Sequence, residues 1–94
     1  MRSLVWTNTF ARSLKRTLRK QPAVRESLEA TLALLQKDPF ASSLASHKLK
    51  GKLTGRWACT VEFDLRIVFK FTPSESDEED DILLLGIGTH EEVY

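Results

Sequence analysis

The sequence predicts an α+β fold, an N-terminal strand and a two-helix hairpin packed on a small, mainly antiparallel sheet. Three observations carry that reading. Residues 10–35 repeat apolar side chains at helical spacing in two blocks parted by Gln21-Pro22. Residues 57–71 change to a period of two, in two runs with a short polar break between them. Residues 82–89 are continuously apolar, which suits a strand buried on both faces and so central in the sheet.

Ser3-Leu4-Val5-Trp6-Thr7 is short and rich in strand formers, so it reads as the first strand. Thr7 or Asn8 then caps a helix, because a short oxygen-bearing side chain accepts a bond from the free N–H groups of a first turn. That helix turns Phe10, Ala11, Leu14, Thr17 and Leu18 inward and leaves five basic residues on its other arc. Pro22 suits the first turn of a second helix, whose inward stripe is Val24, Leu28, Thr31, Leu32 and Leu35 and whose stop is Asp38-Pro39. Residues 40–46 read as a loop of small side chains.

Trp57 to Phe63 and Leu65 to Phe71 read as a β-hairpin. If their apolar sets share one face, opposed residues must sum to an even number, for instance Glu62 opposite Arg66 around a Phe63-Asp64-Leu65 turn. One face then carries Trp57, Cys59, Val61, Phe63, Leu65, Ile67, Phe69 and Phe71. The other carries Ala58, Thr60, Glu62, Arg66, Val68 and Lys70. Two glycines in the last strand, Gly86 and Gly88, invite close approach by a backbone or a ligand.

Ninety-four residues make one domain, 1–94, able to bury roughly 60–68% of its unfolded surface. No apolar run approaches the length of a membrane span, and the N-terminus lacks the apolar core of a signal peptide. The single cysteine, Cys59, excludes an internal disulfide and suits the cytoplasm; its place on the apolar strand face makes it a packed core thiol.

The net charge of +1 hides a division. All 14 Lys and Arg lie in residues 1–70 with five acids, a net of +9, whereas residues 71–94 hold eight acids and neither Lys nor Arg, a net of −8. A body this basic suits a polyanionic partner. Six of the acids fall in residues 75–81, a run that repels itself and reads as a mobile hairpin tip, able to fold over the basic groove. Its spacing is not that of a calcium loop, and no metal or cofactor is expected.

The basic run from His47 through Lys48, Lys50, Lys52 and Arg56 leads into the hairpin, and His90 and Tyr94 follow the last strand. With Asp64 and Arg66 at the hairpin turn, these groups suit RNA cleavage by the ribose 2′-OH. That reaction needs a base, an acid and cations to stabilise the pentavalent phosphorus. Lys70 and Arg56 join the lysines as RNA-binding candidates, and Tyr94 offers a ring for base stacking. Plainer roles remain open: His90 capping the sheet edge, Asp64 as a turn residue, Arg66 paired with Glu62.

Three segments together resemble the RelE/ParE superfamily of bacterial type II toxins. They are His47-x-Leu49-x-Gly51-x-Leu53-x-Gly55-x-Trp57, Val61-x-x-Asp64-x-Arg66-Ile67-Val68-Phe69, and Leu85-x-x-Gly88-Thr89-His90-x-x-Val93-Tyr94. The Gly-Thr-His ending and the His-x-Leu-x-Gly opening are similar to the YafQ-like mRNA interferases. The resemblance implies a RelE-like, microbial ribonuclease-type fold and a cytoplasmic toxin that enters the ribosomal A site. There it would cleave mRNA without a metal, and a co-expressed antitoxin would silence it. On this resemblance His47, Asp64 and His90 match acid/base positions, Arg66 lies on a phosphate-contacting strand, and Tyr94 falls near the family's terminal aromatic. The sequence departs from the pattern at Ala58 and Thr60, where such proteins usually carry Asp and His. Two rival readings follow: a ParE-like toxin that inhibits DNA gyrase without a nuclease, and an inactive module that only binds an antitoxin.

Overall fold

One hydroxyl fixes where the first helix begins. In the computed structural model, which describes residues 2–62, 64–75 and 79–93, the first strand β1 is Leu4–Trp6 and the first helix α1 is Asn8–Lys20. Between them Thr7 Oγ1 accepts from the Phe10 N–H at 3.0 Å, capping the helix, and donates to the Leu84 carbonyl at 2.8 Å. Pro22–Val24 forms a single 3-10 turn, and helix α2 runs Arg25–Lys37, with Asp38 as its C-cap.

A 3-10 turn at Ser42–Leu44 buries Leu44 and so gives the expected loop a fixed anchor. Strand β2 is His47–Lys48, β3 Trp57–Glu62, β4 Leu65–Thr72 and β5 Asp81–Thr89, and a one-turn helix α3 covers His90–Val93. The sheet order is β1-β5-β4-β3-β2; β1 runs parallel to β5 and every other pair is antiparallel. Both helices cover one face, where Phe10, Leu28 and Leu35 meet Cys59, Ile67 and Phe69 in the core. Burial pushes the Cys59 thiol up to about 12, in keeping with a packed, unreactive side chain. Among the described residues no helix is long and apolar enough to cross a membrane.

From Trp57 to Thr60 the hairpin keeps the expected parity but not the expected partners. Thr60, not Glu62, faces Arg66, and Glu62 faces Leu65 after a bulge at Val61. The partner of Arg66 is thus two positions earlier on β3, while Cys59 lies opposite Ile67 on the apolar face. The expected place of Phe63 on that face lies outside the described residues. The opposite face is not uniformly polar either, because Ala58 and Val68 on it are buried. β5 is an interior strand, yet its burial alternates along much of its length; β4, in the middle of the five, carries the run buried on both faces, Ile67-Val68-Phe69.

The stripe expected on α1 omitted its most consequential member. Ser13, only 5% exposed, donates to the Phe10 carbonyl at 3.0 Å and accepts from the Ile87 N–H at 3.1 Å. β1 pairs with β5 only as far as Leu84, so past that point the β5 edge needs another partner. Ser13 supplies it. Ser13→Ala therefore leaves a buried N–H unpaired, and chemical denaturation should show a loss of about 1–3 kcal/mol; a loss below about 0.5 kcal/mol would mean that the contact is dispensable.

Candidate functional site

The sheet face turned away from α1 and α2 is where strand pairing gathers the polar groups. Opposed residues share a face, so His47, Ala58, Val68 and Gly86 form one row across β2 to β5, and Thr60, Arg66 and Gly88 form the next. Beyond the second row β4 and β5 end at the Leu65–Thr89 pair, which makes Asp64 and His90 the next positions on the two chains. Both are exposed. Asp64 shares a small depression of about 140 Å³ with Gln21, Glu62 and Thr89. Arg66 is half-buried and donates Nη1–H to the carbonyls of Glu62 and Leu65, each at 3.3 Å, so its guanidinium lies over this turn. The Glu62 carboxylate accepts from the Ser27 hydroxyl at 2.6 Å.

His47 is a separate case. Its Nδ1 lies 3.1 Å from the Ala45 carbonyl, which can only accept, so Nδ1–H is the donor in this contact. Three strand spacings and four residues separate it from His90, roughly 20 Å at the backbone. The basic run also divides. Lys48 pairs with Trp57 on the helix-covered face and holds its ammonium 5.7 Å from that ring. Lys50 and Lys52 are exposed around the 3-10 turn Gly51–Leu53, and Lys70 is exposed two residues beyond Val68 on the same face. Tyr94 lies outside the described residues.

Next to the first row is a cleft of about 180 Å³. Val68 and Gly86 line it, together with Arg16 from α1, Arg56 from the β2–β3 loop, and Glu92 and Val93 of α3. Gly86 lies at an irregularity in the β4–β5 pairing, where Leu85 is the extra residue, and a Cβ added to it would meet nothing within 4 Å. Gly88 is the reverse. A Cβ there would lie 3.0 Å from Glu92 Cβ, so this glycine admits the close approach of α3.

A reciprocal cap holds α3 in place. The Glu92 carboxylate accepts from the Thr89 N–H at 2.8 Å, and Thr89 Oγ1 accepts from the Glu92 N–H at 3.3 Å. The bond from Thr89 N–H, helped by Lys20 at 3.9 Å and by the charge of Arg16, holds the Glu92 carboxyl below its ordinary value.

Of the ten site residues expected from sequence, Asp64, Arg66 and His90 come together at the end of β4 and β5, whereas His47 stands apart. Among the described ones, Arg56 alone lines the cleft. Arg16, Gly86 and Glu92 were not among them. Thr89-x-x-Glu92 is a capping-box pattern that sequence could have revealed. Arg16 has no such signal, since helical spacing does not separate it from its four basic neighbours on α1. Among the described residues no three metal-ligating side chains come together.

The family model described as "Bacterial toxin of type II toxin-antitoxin system, YafQ" matches residues 2–94. No curated protein matches the chain significantly. Among solved structures, the chain is similar to YafQ from E. coli strain BL21(DE3), with 19% identity, a TM-score of 0.79, and coverage of 100% of this chain and 99% of that one. The E. coli DinJ-YafQ complex gives 18% identity, a TM-score of 0.77 and the same coverage, 100% and 99%. The YoeB/ParE toxin from Agrobacterium tumefaciens gives 23% identity and a TM-score of 0.73, over 94% of this chain and 98% of that one. At these identities the structures speak to the fold alone.

The cap on α3 is sensitive to acid. A carboxyl whose folded pKa is lowered stabilises the fold above its ordinary value of 4.5, and that contribution is lost as pH falls through the lower folded value. The Thr89 amide resonance should therefore titrate with an apparent pKa below 4.5, and Glu92→Ala should abolish the titration. An amide shift that persists in Glu92→Ala would assign it to another group.

Proposed function

Since the chain belongs to the YafQ family of bacterial type II toxin–antitoxin toxins, we propose that it is a ribosome-dependent endoribonuclease, an mRNA interferase that cuts mRNA in the A site and so inhibits translation. What carries this reading is the Leu65–Thr89 pair, beyond which an imidazole and a carboxylate are neighbouring positions, with Arg66 one residue inside it. A carboxylate beside an imidazole orients its ring, and a guanidinium supplies the charge that a phosphorane needs.

In this reaction the 2′-oxygen bonds to phosphorus and the bond from phosphorus to the 5′-oxygen breaks. A proton leaves the 2′-OH and another joins the departing 5′-oxygen, giving a 2′,3′-cyclic phosphate and a 5′-OH. His90 exchanges one of these protons and water the other; Asp64 orients His90, and Arg66 stabilises the charged phosphorus. His47, too far along the sheet to act on the same phosphate without a large movement, serves further along the RNA strand. Lys50, Lys52, Arg56 and Lys70 contribute backbone charge, and Lys48 and Tyr94 complete the RNA-binding set. The chemistry as drawn uses no metal and no cofactor. E. coli YafQ is found in complex with DinJ, and by the same family membership a cognate antitoxin is the partner that silences this chain in the cytoplasm.

Primer extension on messages collected after brief induction tests the reading. The wild-type chain should give in-frame 5′ ends within translated mRNA, and His90→Ala should reduce them about 10²–10⁴-fold. Growth arrest without cuts would favour a gyrase-directed toxin, and no arrest would favour an inactive antitoxin-binding module.

A further inference from the structure

The cleft at Gly86 holds two arginines from distant parts of the chain. Arg16 comes from the third turn of α1 and Arg56 from the residue before β3, and both line the same space of about 180 Å³. Among the described residues neither guanidinium is engaged in an ion pair or a hydrogen bond. The one acid on the wall, Glu92, is already held by the Thr89 N–H and faced by Lys20. Among the described residues the cleft therefore presents two guanidinium groups with no hydrogen-bond acceptor, Arg16 acting on Glu92 only through its charge, above a floor that Gly86 leaves without a side chain.

We propose that Arg16 and Arg56 form a phosphate clasp that binds one phosphodiester of single-stranded RNA over Gly86. The clasp rests on the endoribonuclease reading for its ligand, and it deepens that reading by adding Arg16, from a helix whose basic face otherwise looks merely solvated. Two features of the geometry favour it. Two arginines lining one cleft suit the oxygens of a phosphate, which accept in several directions at once. The clasp also lies in the same sheet face as Arg66, one row away from it, so a strand running along the face passes both. Gly86 is then a specificity device: any larger side chain occupies the space in which the phosphate must rest.

Salt-dependent binding of a fluorescein-labelled, ten-nucleotide single-stranded RNA tests the clasp. Lys15→Ala is the control, because it removes one charge from the exposed position beside Arg16 without touching the cleft. Arg16→Ala and Arg56→Ala should each weaken binding by roughly threefold or more beyond that control and flatten the slope of log K against log salt by about 0.7. Gly86→Val retains both arginines and meets open space, so it should keep the thermal midpoint of the wild type and lose the same affinity. DNA of the same sequence should show the same losses, since a phosphate contact does not read the base.

Arg16→Ala binding no more weakly than Lys15→Ala overturns the clasp. So does a Gly86→Val chain that folds and binds like wild type, or a loss confined to one base composition. If Gly86→Val fails to fold, the two arginine variants still decide. Cleavage is read apart from binding. Clasp-dependent binding without mRNA cuts retires the endoribonuclease reading and leaves the clasp; cuts together with an unaffected Arg16→Ala variant do the reverse.

Discussion

The arrangement of this molecule depends on how α1 closes the edge of β5. β1 is three residues long and β5 nine, so the first strand can pair only the first part of the last one. Beyond Leu84 a buried N–H would be orphaned, at a cost comparable with a lost hydrogen bond. Thr7 and Ser13 meet that need with two hydroxyls two turns apart on the chain, one on the Leu84 carbonyl and one on the Ile87 N–H. Docking a helix by its side-chain oxygens brings its backbone close to the sheet edge. It also carries Arg16, three residues past Ser13 and so on an adjoining part of the same face, to the rim of the cleft.

The two glycines of β5 do opposite things. Gly88 is occupied from outside by Glu92 and Val93, so its missing side chain is spent on packing α3. Gly86 has no such neighbour and its missing side chain becomes empty space. The extra residue at Leu85 lies beside it and disturbs the pairing with β4 there. One short helix is thus seated by one glycine, and one cleft is opened by the other.

Charge is less segregated in space than in sequence. The described part of the acidic connection between β4 and β5 is engaged by the N-terminus: Arg2 lies 3.5 Å from Glu79 and donates to the Asp80 carbonyl at 2.8 Å, while the Ser3 N–H donates to Asp81 at 3.3 Å. These contacts lie at the end of the sheet opposite Asp64 and His90. Lys50 and Lys52 share that acidic end, because the loop they belong to precedes Trp57 and Trp57 faces Phe69. The acids are therefore nearer the lysines than the catalytic candidates.

Periodicity made the elements legible. The helix stripe on α2, the even parity of the hairpin and the core position of Cys59 all follow from the spacing of apolar residues, because burial on one face is enforced at every turn or every second residue. Residue-level chemistry pointed to Asp64, Arg66 and His90, and the strand ends bring these three together. It did not separate His47 from them, since linear order carries no strand order, and β2 lies three strands from β5. Nor did it find the bulge at Val61, because an inserted residue costs the sequence pattern nothing.

By itself, then, the sequence determined the fold class, the family resemblance and which side chains have the chemistry to act. Only the tertiary structure decided that Ser13 belongs to the sheet rather than to the surface, that Lys48 turns to the face opposite His47, and that Arg16 and Arg56 share a cleft. The physical reason is common to all three. Local spacing fixes which way a side chain points from its own element, whereas its neighbours are fixed by strand order, register and the one edge where a helix replaces a strand.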